Sequence, residues 1–248
     1  MKPIIIIAAV PRELDLLEEA LGSCRQLLTS GQAVVEGTIG NLPVVSCVGG
    51  VGKVNAAAAT ALMIERYQPR LVISTGCAGA YVGSGLAVGD LVLATDEVLA
   101  DEGVLVGDGW KDLRYMNLPS VRRDGETFYN VLPLSRRASE RAMELAEREK
   151  NALHRGVSVT VSTCSGTGEY GAELSRRWNA VMENMEGAAV AQVCLRAGVE
   201  CLEIRGISNL VEERDLTKWD FGRAVEVAQR FVLLYLQQRD SSPVVCRC

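Results

Sequence analysis

The sequence predicts an α/β protein, a three-layer α/β/α arrangement around a central mixed, largely parallel sheet. Three observations carry this. Apolar, β-branched runs recur along the 248 residues, beginning with "IIIIAAV" at 4–10, and such unbroken runs suit strands covered on both faces. Stretches of helical period separate them, and alternating strands and helices imply helices packed on both faces of one sheet. The composition, 48% hydrophobic and 23% charged, is that of an ordinary soluble globular protein. A chain of this length buries a sizeable core without staples.

The elements follow in order. Residues 4–10 form the first strand, and 13–21 a helix with Leu14, Leu17 and Leu21 on one side. Residues 34–39 and 42–48 flank Gly40-Asn41 as a hairpin. An alanine-rich helix spans 55–67, and Pro69 ends its run. Strands follow at 71–75 and 90–95. The polar, irregular stretch 100–132 is expected to be a loop excursion. Residues 135–151 form a charged amphipathic helix capped by Ser135. A strand at 158–162 leads into a glycine-rich loop, 162–171. The helix 186–197 stops at Gly198, and 201–207 is a strand. The last helix, 221–238, carries Val225, Ala228, Val232 and Leu236 on one stripe. The expectation is one domain over 1–240, with 241–248 a disordered tail.

Charge and composition exclude several classes. The 26 basic and 31 acidic residues leave a net charge of -5, which argues against a nucleic-acid-coating surface. The apolar run at 4–10 is far short of the roughly 20 residues of a membrane span. Charge follows it at once, with no suitable cleavage site for a signal peptide. Eight cysteines occur without a Cys-x-x-Cys, and His154 is the single histidine, so a zinc site has poor raw material. Cysteines set in apolar runs read as small hydrophobes in a reducing, cytoplasmic compartment. No metal or organic cofactor is implied.

The stretch "VGGVGKVN", 48–55, invites a phosphate-loop reading. That motif needs a glycine five residues before Gly52 and a hydroxyl after Lys53. Cys47 and Val54 stand there, so the reading fails. A dinucleotide Gly-x-Gly-x-x-Gly fails too, because Asn55 takes the third glycine's place. What survives is a sharp strand-to-helix turn, either a packing device or the border of a ligand cleft.

Four further stretches fall just beyond apolar strands, where open α/β sheets place their sites. They are Val10-Pro11-Arg12-Glu13, Thr75-Gly76-Cys77-Ala78-Gly79, Asn184-Met185-Glu186-Gly187 and Arg205-Gly206-Ile207-Ser208-Asn209. With "GGVGKVNAA", "STGCAGA", "VGDLVLA", "NMEGAAVA" and "RGISN" in that order, nearly the whole chain resembles the purine nucleoside phosphorylase and nucleosidase family. The resemblance falls in its methylthioadenosine/S-adenosylhomocysteine nucleosidase branch. The resemblance implies a nucleoside phosphorylase-like fold and cleavage of a purine–ribose bond. It also implies a small nucleoside and water as partners, and assembly into a homo-oligomer.

On this resemblance Glu13 matches the water-activating base. Read alone, it is a first-turn glutamate favoured by the helix dipole. Glu186 matches the carboxylate that holds the ribose hydroxyls. Its apolar neighbours independently favour function, since a lone buried carboxylate needs partners. Met185 matches a residue packed on ribose, or is a core methionine. Val51, in the "VGGVGKVN" turn, is expected to touch substrate.

Asn209 departs from the adenine-releasing nucleosidases, which carry Asp there. An amide can accept from a protonated N7 and donate to a C6 oxygen, which suits a 6-oxopurine such as hypoxanthine. A turn cap is the plain alternative. Within the family "NMEGAAVA" and "RGISNLVEERDLTKWD" are most similar to the futalosine-hydrolysing branch, which releases hypoxanthine in a menaquinone pathway. The resemblance places Val161, Thr163 and Thr167 beside the base, in a loop that could equally be plain surface. Arg214 is expected to meet a substrate carboxylate while Trp219 packs on the substrate's ring; an Asp215–Arg214 pair beside a core Trp is the alternative. Cys77, Ala78, Gly79 and Ser208 border the same cleft, although a direct role for Cys77 is doubtful because Cys hydrogen-bonds poorly. The turn 74–79 has no phosphate-facing arginine, which favours water over phosphate as the acceptor.

Overall fold

The computed structural model describes residues 1–240. In chain order the elements are β1 (Ile4–Ala8), α1 (Asp15–Glu19), β2 (Gly22–Thr29), β3 (Gln32–Ile39), β4 (Leu42–Val48), α2 (Lys53–Tyr67), β5 (Leu71–Tyr81) and β6 (Leu91–Leu99). Five short strands follow: β7 (Gly103–Val106), β8 (Gly109–Asp112), β9 (Val121–Arg123), β10 (Glu126–Phe128) and β11 (Val131–Pro133). Then come α3 (Arg136–Arg148), β12 (Leu153–Thr160), α4 (Gly168–Trp178), β13 (Ala180–Asn184), α5 (Gly187–Ala197), β14 (Glu200–Val211) and α6 (Phe221–Asp240).

The central sheet has 10 strands and is mixed. β1 lies between β4 and β5, parallel to both. β14 is parallel to β5, and β12 is parallel to β6 and β13. The outer run β4–β3–β2 is an antiparallel meander. The sheet also closes on itself. β5 pairs β13 through Gly79 and Ala80, while β14 pairs both β5 and β6. The path β6–β12–β13–β5–β14 thus returns to β6.

Period-2 alternation in β1 divides the core. Ile5 and Ile7 pack with Ala56, Ala59 and Met63 of α2 and with Ala188 and Ala191 of α5. Ile4 and Ile6 pack with Leu14, Leu17, Ala138 of α3 and Ala228 and Val232 of α6. Side chains on alternate faces of a strand make this division, and it yields the two helical layers.

The expected helix at 13–21 begins as a 3-10 turn, Pro11–Glu13, and only then becomes α1. The Glu13 carboxylate accepts from the backbone of Ala9 and Val10, and a side chain used this way turns the chain tightly. The stretch 100–132 holds two small hairpins, β7–β8 and β9–β10, rather than pure loop. The edge strand β2, with its exposed polar residues, and β13 were not legible as strands. Ser135 does cap α3, accepting from Ala138 N. Among the described residues no helix is long and apolar enough to cross a membrane. The expected disordered tail, 241–248, lies outside the described residues.

Candidate active site

A cavity of about 270 Å³ opens where β1, β5, β13 and β14 end. Glu13, Glu186 and Asn209 all line it, as do Val51, Cys77, Ala78, Gly79, Met185, Ser208, Arg214 and Trp219. Clefts at the carboxyl ends of parallel strands are where this class of sheet binds ligands.

Glu13 is 3% exposed. Its Oε2 accepts from Ala9 N at 3.0 Å and Val10 N at 3.2 Å, and its Oε1 from Cys77 N at 3.0 Å. A carboxylate oxygen offers two acceptor positions, so Oε1 keeps one free. Gly76 makes this fit possible. It adopts φ 147°, and a Cβ there would collide with Glu13 Oε1, so only glycine suits the position.

Glu186 stands at the start of α5, where Oε1 accepts from Gly52 N at 2.9 Å and Oε2 faces Arg205 Nη1 at 3.8 Å. The "VGGVGKVN" turn therefore acts through a backbone N–H of Gly52. Lys53 instead bonds Asp101 at 2.6 Å and Glu102 at 3.1 Å. Burial raises the Glu186 carboxyl above the ordinary value of 4.5, and Glu13 and Glu203 add to the rise, while Arg205 and the Gly52 N–H oppose it. Burial first, then the Glu13 charge, push the Cys77 thiol up to about 12. Cys77 is thus a thiol rather than a thiolate at neutral pH.

Arg205 was missed as a site residue. It is 1% exposed and donates to Glu203 Oε1 at 3.0 Å, Ser74 Oγ at 3.1 Å and Cys77 O at 3.4 Å. Burial alone would weaken its charge, but the Glu203, Glu186 and Glu13 carboxylates hold the guanidinium protonated.

Asn209 follows a bulge in β14, with Ile207 opposite Ala78 and Asn209 opposite Gly79. The extra residue, Ser208, can donate to Ala78 O or Asn209 Oδ1. Bulges re-aim side chains beside sites. Asn209 Nδ2 donates to Leu210 O at 3.1 Å, which leaves a second N–H and a second lone pair for a ligand.

Three expected base contacts lie elsewhere. Val161 is 1% exposed and packs with Val159, Leu174 and Val211 in a separate core cluster. Thr167 caps α4 through Tyr170 N, and Thr163 is an exposed residue off the cavity lining. Their neighbours Cys164 and Ser165 line the cavity instead. Glu183 fixes that segment, accepting from Ser165 N at 2.9 Å, Ser165 Oγ at 2.6 Å and Tyr81 OH at 3.1 Å. The Arg214 guanidinium sits over the Trp219 ring at 5.0 Å, a cation–π geometry. Asp215 bonds Thr217 rather than pairing with Arg214. Among the described residues no His, Cys, Asp or Glu cluster is arranged to hold a metal.

Comparison with known proteins agrees with this geometry. The family model described as "Phosphorylase superfamily" matches residues 3–237. The chain is 37% identical to the futalosine hydrolase of Thermus thermophilus over 183 residues, covering 74% of this chain and 76% of that protein. It is 29% identical to a 5'-methylthioadenosine/S-adenosylhomocysteine nucleosidase of Halalkalibacterium halodurans, covering 89% of this chain and 90% of that one. A solved nucleosidase of the same name from Neisseria meningitidis, in complex with methylthio-immucillin-A, superposes with a TM-score of 0.83 at 25% identity, over 96% of this chain and 100% of that one. With the family model spanning almost the whole sequence and a relative at this identity over most of it, the chain belongs to the phosphorylase superfamily.

Proposed function

We propose that this enzyme hydrolyses the N-glycosidic bond of a 6-oxopurine nucleoside, and that the substrate is futalosine, releasing hypoxanthine. The observation that carries the choice of base is Asn209, an amide on the cavity wall with one acceptor and one donor position unused. Its carbonyl accepts from N7–H once solvent water has supplied that proton to the departing purine, and its NH2 donates to O6. Nucleoside hydrolysis is the activity named for the curated relatives, and one of them is a futalosine hydrolase.

The chemistry follows from the carboxylates. The bond breaks with positive charge growing on the ribose ring, and fixed negative groups stabilise that charge where it develops. Glu186 accepts the ribose hydroxyls and so orients the sugar. Glu13 Oε1 uses its free acceptor position to take a proton from water as it attacks. Phosphate is the poorer acceptor here, because it would meet the Glu13 carboxylate, and Arg205 is already engaged by Glu203 and Glu186. Arg214 and Trp219 supply a cation and an aromatic face for futalosine's aromatic carboxylate. Placement of the product in menaquinone synthesis, in the cytoplasm, belongs to the same proposal.

The test is purified protein with futalosine, inosine or methylthioadenosine, following free base with and without phosphate. Hypoxanthine from futalosine, independent of phosphate, is the expected result. A second reading, adenine release, is favoured by the longer match to the methylthioadenosine nucleosidase. Adenine from methylthioadenosine with futalosine untouched would replace the first reading by the second.

A pH profile tests the role of Glu186. Its charged form accepts the ribose hydroxyls, and burial disfavours that form, which raises its pKa. Activity should therefore fail as pH drops through a value above the ordinary 4.5. The acid limb of kcat/KM reports it. A limb at or below the ordinary value would mean that Glu186 is not the titrating group.

A further inference from the structure

Beneath Glu186 lie two carboxyl groups that the reaction does not use. Glu97 on β6 and Glu203 on β14 are both 0% exposed. Glu203 Oε1 accepts from Arg205 Nε at 3.0 Å and from Asn184 Nδ2 at 3.1 Å. Glu97 Oε1 accepts from Asn184 Nδ2 at 2.7 Å, and Oε2 from Thr160 Oγ at 2.7 Å. The two side chains meet under Gly187, where a Cβ would collide with both Glu97 Oε1 and Glu203 Oε2.

Drawn as two carboxylates, this arrangement leaves Glu203 Oε2 buried without a donor among the described residues. A buried charged oxygen without a donor is strongly unfavourable, and like charges this close cannot both persist. One proton removes both problems. Glu203 already faces the guanidinium of Arg205, so the proton belongs on Glu97, whose carboxyl is driven well above the ordinary range by burial and then by the Glu203 charge.

The pair also reaches the proposed site. Asn184 Oδ1 accepts from Glu186 N at 2.8 Å and Gly187 N at 2.7 Å, and Thr160 Oγ accepts from Ala188 N at 2.7 Å. These are the free N–H groups that begin α5, where a helix needs outside acceptors. Glu97 holds both capping side chains, Asn184 and Thr160, and Glu203 holds Asn184 and Arg205.

We infer that Glu97 is a neutral carboxylic acid donating its proton to Glu203, and that this acid–carboxylate pair is a positioning device that fixes the first turn of α5 and hence the aim of Glu186. The inference rests on Glu186 as the ribose-holding group. Glutamine at 97 preserves the device: its amide donates to Glu203 Oε2, its carbonyl accepts from Thr160, and Asn184 keeps Ser158 and Glu203 as acceptors. Alanine does not preserve it.

The experiment pairs infrared spectroscopy with kinetics on purified full-length protein. At neutral pH the wild type should show the C=O band of a buried protonated carboxyl, and Glu97→Gln should abolish it. Glu97→Gln should retain kcat within about threefold, whereas Glu97→Ala should lose roughly a hundredfold, the scale of a reacting group misplaced by about 1 Å. If Glu97→Ala does not fold, the band and the glutamine variant still decide. Absence of the band from the wild type, its survival in Glu97→Gln, or a glutamine variant with under a tenth of wild-type kcat overturns the inference. Full activity in Glu186→Gln, with the band intact, would instead remove the reading of Glu186.

Discussion

Glu13→Gln lowers kcat by roughly a thousandfold at neutral pH, with KM changed little, because general-base help of this kind supplies about 10²–10⁴-fold. The two effects separate because water activation belongs to the transition state and not to substrate binding. The carboxylate has one unused acceptor position, on Oε1, and glutamine cannot take a proton there. The variant also loses stability. Glu13 accepts three backbone N–H bonds, from Ala9, Val10 and Cys77, whereas an amide offers only one accepting oxygen. Its NH2 must therefore oppose a backbone donor, which costs about 1–3 kcal/mol. Urea unfolding measures that loss, and single-turnover kinetics with saturating nucleoside measure the first. Wild-type turnover in a variant that unfolds earlier would give Glu13 a purely structural role.

The parts of this protein that were legible in sequence share a physical feature. β1 was readable because burial on both faces demands an unbroken apolar run, Ile4 to Ala8. Glu186 was readable because a charge between Met185 and Gly187-Ala188-Ala189 contradicts its surroundings. The supporting shell was not readable. Glu97, Asn184, Glu203 and Arg205 come from β6, β13 and β14 and become neighbours only when the sheet closes. Each looks, one at a time, like an ordinary polar residue. The loop expected beside the base lies differently against the cavity. Val161 continues the inward face of Val159 into a core cluster, so the residues free to face the cavity come three positions later, at Cys164 and Ser165. The helix α4 is hard to read because "GTGEYG" carries three glycines across its start, and Thr167 is its cap.

Replacing the amide at 209 tests the reading of the substrate most directly. Asn209→Asp should lower kcat/KM for futalosine by roughly a hundredfold, since a carboxylate facing O6 forfeits one donated hydrogen bond and adds repulsion, together about 2–3 kcal/mol. The same change should raise adenine release from methylthioadenosine, because adenine has no O6 to repel the new carboxyl group, and that group in its protonated form can donate to N7. Ser208 shapes the outcome. Its hydroxyl has one proton to share between Ala78 O at 3.2 Å and Oδ1 of residue 209 at 2.8 Å. In the native protein it can turn to Ala78 and free Oδ1 for N7–H. In the variant the new carboxylate draws it away from Ala78, so Ser208→Ala should weaken Asn209→Asp more than it weakens the wild type. Competition between futalosine and methylthioadenosine in one reaction reads the selectivity as a ratio of kcat/KM values, independent of enzyme concentration. A ratio unmoved by Asn209→Asp would show that the amide does not read the base, and the specificity would then have to come from the Cys164–Ser165 segment held by Glu183.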